Sequence, residues 1–108
     1  MKLPVTLSAA LLLGAIALPL AASAADSAET LIKSNGCTAC HSTDTKLVGP
    51  SYKDVAAKYK GDKEAETKMI AKVKAGGSGV WGPVPMPPHP TISDADLKTM
   101  VDWVLALK

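Results

Sequence analysis

The stretch Cys37-Thr38-Ala39-Cys40-His41 decides how the rest of this chain is interpreted. Two cysteines three positions apart lie on one side of a helical turn, so each thiol can form a thioether bond to a vinyl group of one haem. The histidine that follows can then present its imidazole to the iron. The spacing predicts covalent haem attachment through Cys37 and Cys40, with His41 as an axial ligand.

Other uses of these cysteines explain less of the sequence. A disulfide between Cys37 and Cys40 would close a loop too short to stabilise the fold much. A thioredoxin-like pair needs a βαβ context, and no segment has the pattern of a strand. A zinc site could use both cysteines with His41 and His89, the two histidines of the chain, but the adjacent Cys40 and His41 point in different directions. Haem attachment accounts for the whole pentapeptide.

The second axial ligand has two candidates downstream, Met86 and His89. Met86 lies in Val84-Pro85-Met86-Pro87-Pro88, where the prolines fix the backbone and reduce the entropy lost when a weak thioether is held against iron. Met69 and Met100 lie on apolar helical stripes and are expected to fill the core. We predict that Met86 is the sixth ligand and that His89 is exposed.

Ligation by both His41 and Met86 predicts the class of function. Iron with six such bonds has no open position for a substrate, whereas outer-sphere electron transfer needs little movement at the metal. We therefore expect an electron-transfer protein with no catalytic residues. The alternative, a haem sensor or a small oxidoreductase, would require Met86 to leave the iron.

The first two dozen residues have the pattern of a secretory signal peptide. Lys2 precedes the uncharged run 3–20, which is followed by small residues in Ala22-Ser23-Ala24. This pattern predicts cleavage after Ala24, and it favours a leader over an uncleaved membrane anchor. We expect an exported, periplasmic protein without stable membrane insertion, whose working domain is residues 25–108.

The domain 25–108 is small, and its composition suggests that a cofactor completes its core. It contains no Phe, two Trp and two Tyr, so aromatic mass is scarce. A buried flat group would supply that mass. The domain has eleven Lys, no Arg and ten acidic residues, a balance that does not indicate nucleic-acid binding.

Apolar spacing predicts helices over 28–35, 52–59, 63–75 and from 94 almost to 108. Segment 76–90 holds five of the eight prolines and four glycines, so it cannot be regular helix. No segment alternates polar and apolar residues as a strand does. The predicted fold class is therefore all-α, with about four helices wrapped around one haem.

Three stretches together resemble the small bacterial class I cytochromes c, the cytochrome c-551 and c-552 group. They are Cys37 to His41, Val48-Gly49-Pro50 and Gly79-Val80-Trp81-Gly82-Pro83-Val84-Pro85-Met86-Pro87-Pro88. The resemblance covers essentially all of residues 27–108. It implies the cytochrome c fold, with crossing N- and C-terminal helices and one covalent haem c. It also implies a periplasmic carrier between cytochrome bc1 and acceptors such as nitrite reductase or a terminal oxidase.

The same resemblance implies two contacts around the haem. The carbonyl of Pro50 would accept the imidazole proton of His41, and the indole N–H of Trp81 would reach a haem propionate. Two positions depart from the group, because Ile32 replaces a frequent Phe and His89 replaces a small polar residue. The second departure leaves open that His89 binds iron or docks a partner. We expect the protein to act as a monomer.

Overall fold

The computed structural model of this chain describes residues 24–108, together with positions 2, 4, 10 and 14–16. Most of the predicted leader, 1–24, lies outside the described residues. In the described part of the chain, no helix has the length and hydropathy that a bilayer span requires.

Helices dominate the described chain, as the apolar spacing predicted. The elements in order are α1 (Ala24–Ser34), a 3-10 turn (Cys37–Ala39), α2 (Tyr52–Lys58), α3 (Ala65–Ala75), β1 (Gly77–Gly79), β2 (Gly82–Met86) and α4 (Asp94–Leu105). The four predicted helices are all present, although α1 begins earlier and α4 ends earlier than expected.

The prediction that the chain has no strands was wrong for the segment between α3 and α4. There β1 and β2 form an antiparallel hairpin in which Gly77 lies opposite Met86 and Gly79 lies opposite Gly82. The backbone angle φ is +110° at Gly77, +113° at Gly79 and +110° at Gly82, a region that glycine adopts readily. The hairpin therefore depends on glycine conformation, which side-chain alternation cannot reveal.

Serine side chains begin two of the helices. The hydroxyl of Ser51 accepts a hydrogen bond of 3.1 Å from the backbone N–H of Asp54, at the start of α2. The hydroxyl of Ser93 accepts one of 3.2 Å from the N–H of Asp96, at the start of α4. These caps satisfy N–H groups that the helices themselves leave unpaired.

The core lies where α4 packs against α1, α2 and α3. Its buried members are contributed by α1, α2 and α4: Ile32, Tyr52, Val55, Leu97, Met100 and Val104. Ile32 is buried despite being smaller than the expected Phe. Met100 belongs to the core, as predicted, and Met69 packs against it.

Leu97→Ala should lower the free energy of unfolding by about 2–5 kcal/mol, because the side chain is 1% exposed and its loss leaves a cavity. Denaturant unfolding followed by circular dichroism measures this change. Leu47→Ala removes the same atoms from a side chain that is 47% exposed, and should cost no more than about 0.5 kcal/mol. Equal losses in the two variants would contradict the described core.

Candidate haem site

The 3-10 turn places the two cysteines next to each other on the surface of one cavity. The backbone N–H groups of Cys40 and His41 both donate to the carbonyl of Cys37, at 3.2 Å and 3.0 Å. Both cysteines are half-buried and neither is in a disulfide. Burial raises the pKa of the Cys37 thiol, and the neighbouring Cys40 raises it further, while a backbone hydrogen bond lowers it. In the polypeptide without cofactor, Cys37 is a neutral thiol at pH 7.

His41 is oriented by a hydrogen bond to the backbone. Its Nδ1 atom lies 2.8 Å from the carbonyl oxygen of Pro50. A carbonyl can only accept, so Nδ1 carries the proton and donates it. In the neutral ring the other nitrogen, Nε2, keeps its lone pair and is the atom able to bind a metal.

Two further residues confine the imidazole ring, and the sequence had suggested no role in the site for either. Tyr52 stacks on His41 with ring centroids 5.4 Å apart and an interplanar angle of 23°. At Gly49, an added Cβ would lie 2.8 Å from Nδ1 of His41 and closer still to Cε1, so a side chain there would displace the ring. Trp103 contacts Tyr52 edge-on, at a centroid distance of 6.0 Å. Burial raises the pKa of Tyr52, so its phenol is neutral.

The segment that carries Met86 is fixed to the end of α3. The backbone N–H of His89 donates to the carbonyl of Val73 at 3.1 Å and to the following carbonyl at 3.2 Å. Gly76, with φ of +66°, lies so close to this segment that a Cβ would be 2.8 Å from the nitrogen of Pro88. The segment after Met86 is thus restrained by hydrogen bonds to the last turn of α3 and by the close approach of Gly76, which directly follows that helix.

A cavity of about 660 Å³ joins these parts of the chain. Cys37, Cys40 and His41 line one part of it, and Trp81 and Met86 line the part formed by the hairpin. The volume is typical of a site for a cofactor-sized molecule. The six residues predicted from the sequence, including Pro50, are therefore brought to one cavity.

His89 does not join them. It is half-buried rather than exposed, and it is not among the residues that line the cavity. In the described residues, no group of three or more His, Cys, Asp or Glu side chains is placed to hold a metal ion. The zinc alternative, which required Cys37, Cys40, His41 and His89 around one ion, is not supported by this arrangement.

Three methionines line the cavity, and they differ in what surrounds them. Met100 is 6% exposed and belongs to the core, and Met69 packs against the same cluster from α3. Met86 belongs to neither set and lies at the end of β2. With two thiols and an imidazole whose Nε2 is free of its proton, the residues of this cavity fit a covalently attached haem.

The chain belongs to the cytochrome c family, since the family model described as Cytochrome c matches residues 25–108. Among its relatives it is similar to the small class I c-type cytochromes. Cytochrome c-552 of Nitrosomonas europaea is 54% identical over 78 residues, which are 72% of this chain and 76% of that protein. Cytochrome c-551 of Pseudomonas aeruginosa is 51% identical over 84 residues, 78% of this chain and 80% of that protein.

A solved structure shows the same fold. The crystal structure of wild-type Nitrosomonas europaea cytochrome c552 matches with a TM-score of 0.71 and 52% identity, covering 74% of this chain and 99% of that one. The predicted class I c-type cytochrome is therefore confirmed, with a small hairpin added to the predicted helices. The protein is a monohaem electron carrier that binds one haem c covalently.

Gly49→Ala should displace the imidazole of His41 and weaken the bond to iron that the sequence predicts for it, because the new methyl group would overlap the ring. The ferric absorption spectrum measures this as a shift towards high-spin haem. Gly61→Ala is the control, since an added Cβ there meets no atom within 4 Å although φ is +81°. That variant should lose about 1–2 kcal/mol of stability with an unchanged spectrum. An unchanged spectrum in Gly49→Ala would contradict the role given to this close contact.

Proposed function

We propose that this protein is a periplasmic electron carrier whose haem is bonded to Cys37 and Cys40 and ligated by His41 and Met86. The observation that carries the proposal is the single cavity lined by all four side chains. When bound, the haem iron supplies the chemistry by changing between its ferric and ferrous states. The polypeptide's part is to hold the ligands so that they move little when the charge changes.

On one side of the cavity, three contacts restrict His41. The hydrogen bond to Pro50 sets the tautomer, Tyr52 stacks on the ring, and Gly49 approaches it closely. Both the rotation of the ring and the exchange of its proton are therefore limited. A donor atom restricted in this way keeps its position through a change of one electron.

On the other side, the hairpin and the prolines restrict Met86. A thioether is a weak ligand, so its retention depends on how little freedom the chain around it has. The close approach of Gly76 and the hydrogen bonds of the His89 N–H limit that freedom from Met86 to residue 89. A retained sixth ligand leaves no position for peroxide or oxygen, which favours a carrier over an enzyme.

Trp81 has a separate proposed role. It lies in the turn between β1 and β2 and lines the same cavity. We propose that its indole N–H donates a hydrogen bond to a haem propionate. Such a bond would offset the propionate's negative charge, and it would fix the hairpin to the cofactor.

Export is proposed from the leader pattern of residues 1–24. The match to the cytochrome c family begins at residue 25, directly after the proposed cleavage site, which supports this division of the chain. The mature domain would then be residues 25–108, acting as a monomer in the periplasm.

The partners are proposed to be respiratory redox proteins that dock briefly, namely cytochrome bc1 as donor and nitrite reductase or a terminal oxidase as acceptor. Val48, Val80 and Val84 are 57%, 50% and 60% exposed and all line the cavity. Exposed apolar side chains that line a redox site suit a small, transient interface. We call these three residues the valine patch.

Met86→Ala should abolish the weak near-infrared absorption that thioether ligation gives ferric haem, and it should open the iron to carbon monoxide in the ferrous state. Met69→Ala is the matched control, because it removes the same atoms from a methionine that packs on the core. It should keep the band and lose stability instead. If the band is lost in Met69→Ala but kept in Met86→Ala, the wrong methionine was assigned. If the wild-type protein itself lacks the band, the result points to His89 as the sixth ligand.

Val84→Asp should slow electron exchange with an isolated acceptor, such as nitrite reductase, by about ten-fold, because a charge in a docking patch must be desolvated on binding. Stopped-flow absorbance of the haem measures the second-order rate. Thr67→Asp places the same charge on an exposed position of α3, which is not among the cavity-lining residues. Equal rates in the two variants would rule out the valine patch as the docking surface.

A further inference from the structure

Lys58 makes a contact that the proposed function does not use. Its ammonium group lies over the ring of Trp81, 5.2 Å from the centroid. Lys58 is the last residue of α2, and Trp81 lies in the turn of the hairpin. This contact therefore connects α2 to the segment that carries Met86.

Within residues 24–108, the lysines that pair with carboxylates are Lys53, Lys68, Lys74 and Lys98, and the described ion pairs do not include Lys58. Its described neighbour is instead an aromatic face. A cation is attracted to the face of an indole by the negative charge of its π system.

The contact bears on the haem because Trp81 is 41% exposed and also lines the cavity. The tilt of an indole about its side-chain bonds is free to change unless a contact restrains it. A cation held on one face removes part of that freedom and brings a positive charge to this side of the cavity.

We propose that Lys58 is a positioning residue, whose ammonium group holds the indole of Trp81 in the orientation that keeps its N–H on the haem propionate. This inference rests on the proposed function, which assigns the propionate contact. Loss of Lys58 would leave the propionate charge less well offset. Ferric iron, which carries one more positive charge than ferrous iron, would then be favoured.

Helix α2 makes the proposal more specific. Its first residue, Tyr52, stacks on His41, and its last residue, Lys58, lies on Trp81. The seven residues of α2 therefore contact both the histidine side and the hairpin side of the cavity. Lys60, just beyond the helix, is exposed and makes no such described contact, so it provides a matched control.

The test uses the complete ferrous holoprotein labelled with nitrogen-15. Hydrogen exchange of the Trp81 indole N–H is followed by NMR, and the signal is assigned by its loss in Trp81→Phe. In Lys58→Gln, protection of this N–H should fall about two- to five-fold, the size expected for one exposed cation–π contact. Lys60→Gln should leave it unchanged, and Lys58→Arg should restore it because arginine also binds aromatic faces.

The ferric–ferrous equilibrium constant of the same variants gives a second readout. Lys58→Gln and Lys60→Gln remove the same charge, and we expect the shift towards the ferric state to be larger in Lys58→Gln. If the indole is protected in the wild type but Lys58→Gln behaves like Lys60→Gln in both measurements, the inference is overturned and the propionate contact stands. If the indole is unprotected in the wild type, the propionate contact itself fails, and the inference fails with it.

Discussion

The hydrogen bond between His41 and Pro50 is the contact on which the site depends. It is 2.8 Å long and it determines which ring nitrogen is left to bind a metal. The next residue, Ser51, is 1% exposed and caps α2, and the residue after it, Tyr52, stacks on the same imidazole. Three consecutive residues thus orient the ring, begin a helix and cover the ring. A displacement of the backbone at Pro50 would therefore move the His41 ring, the start of α2 and the core residue Tyr52 together.

Much of this arrangement was predictable because it follows from local chemistry. The pentapeptide at Cys37 identifies the cofactor by spacing alone, and apolar stripes identify helices because buried faces repeat every three to four residues. The hairpin was missed, since glycine conformations at Gly77 and Gly82 form it without a pattern of side chains. The stacking of Tyr52 was also missed. It depends on a contact between elements, and the sequence marks that residue only as one apolar position of a helix.

The two sides of the haem site are built by different means. Around His41, contacts are made by packed side chains and a helix, as in any small core. Around Met86, the backbone itself is restricted by glycine and proline, and the hairpin has hardly any apolar interior of its own. The proposed iron ligation would close the chain between residue 41 and residue 86 in the folded state. Because a thioether is a weak ligand, this bond lasts only while the folded backbone holds Met86, so it would add to the free energy of unfolding as a native contact does. A domain with few aromatic residues gains stability from such a closure.

The anchoring of the methionine segment to α3 has a consequence for how freely position 89 can vary among relatives. The anchor is the peptide N–H of His89, which donates to two carbonyls in the last turn of α3. Every amino acid except proline offers that donor. Selection for the anchor alone would therefore exclude one residue type and accept nineteen, and the imidazole of this chain is among those accepted.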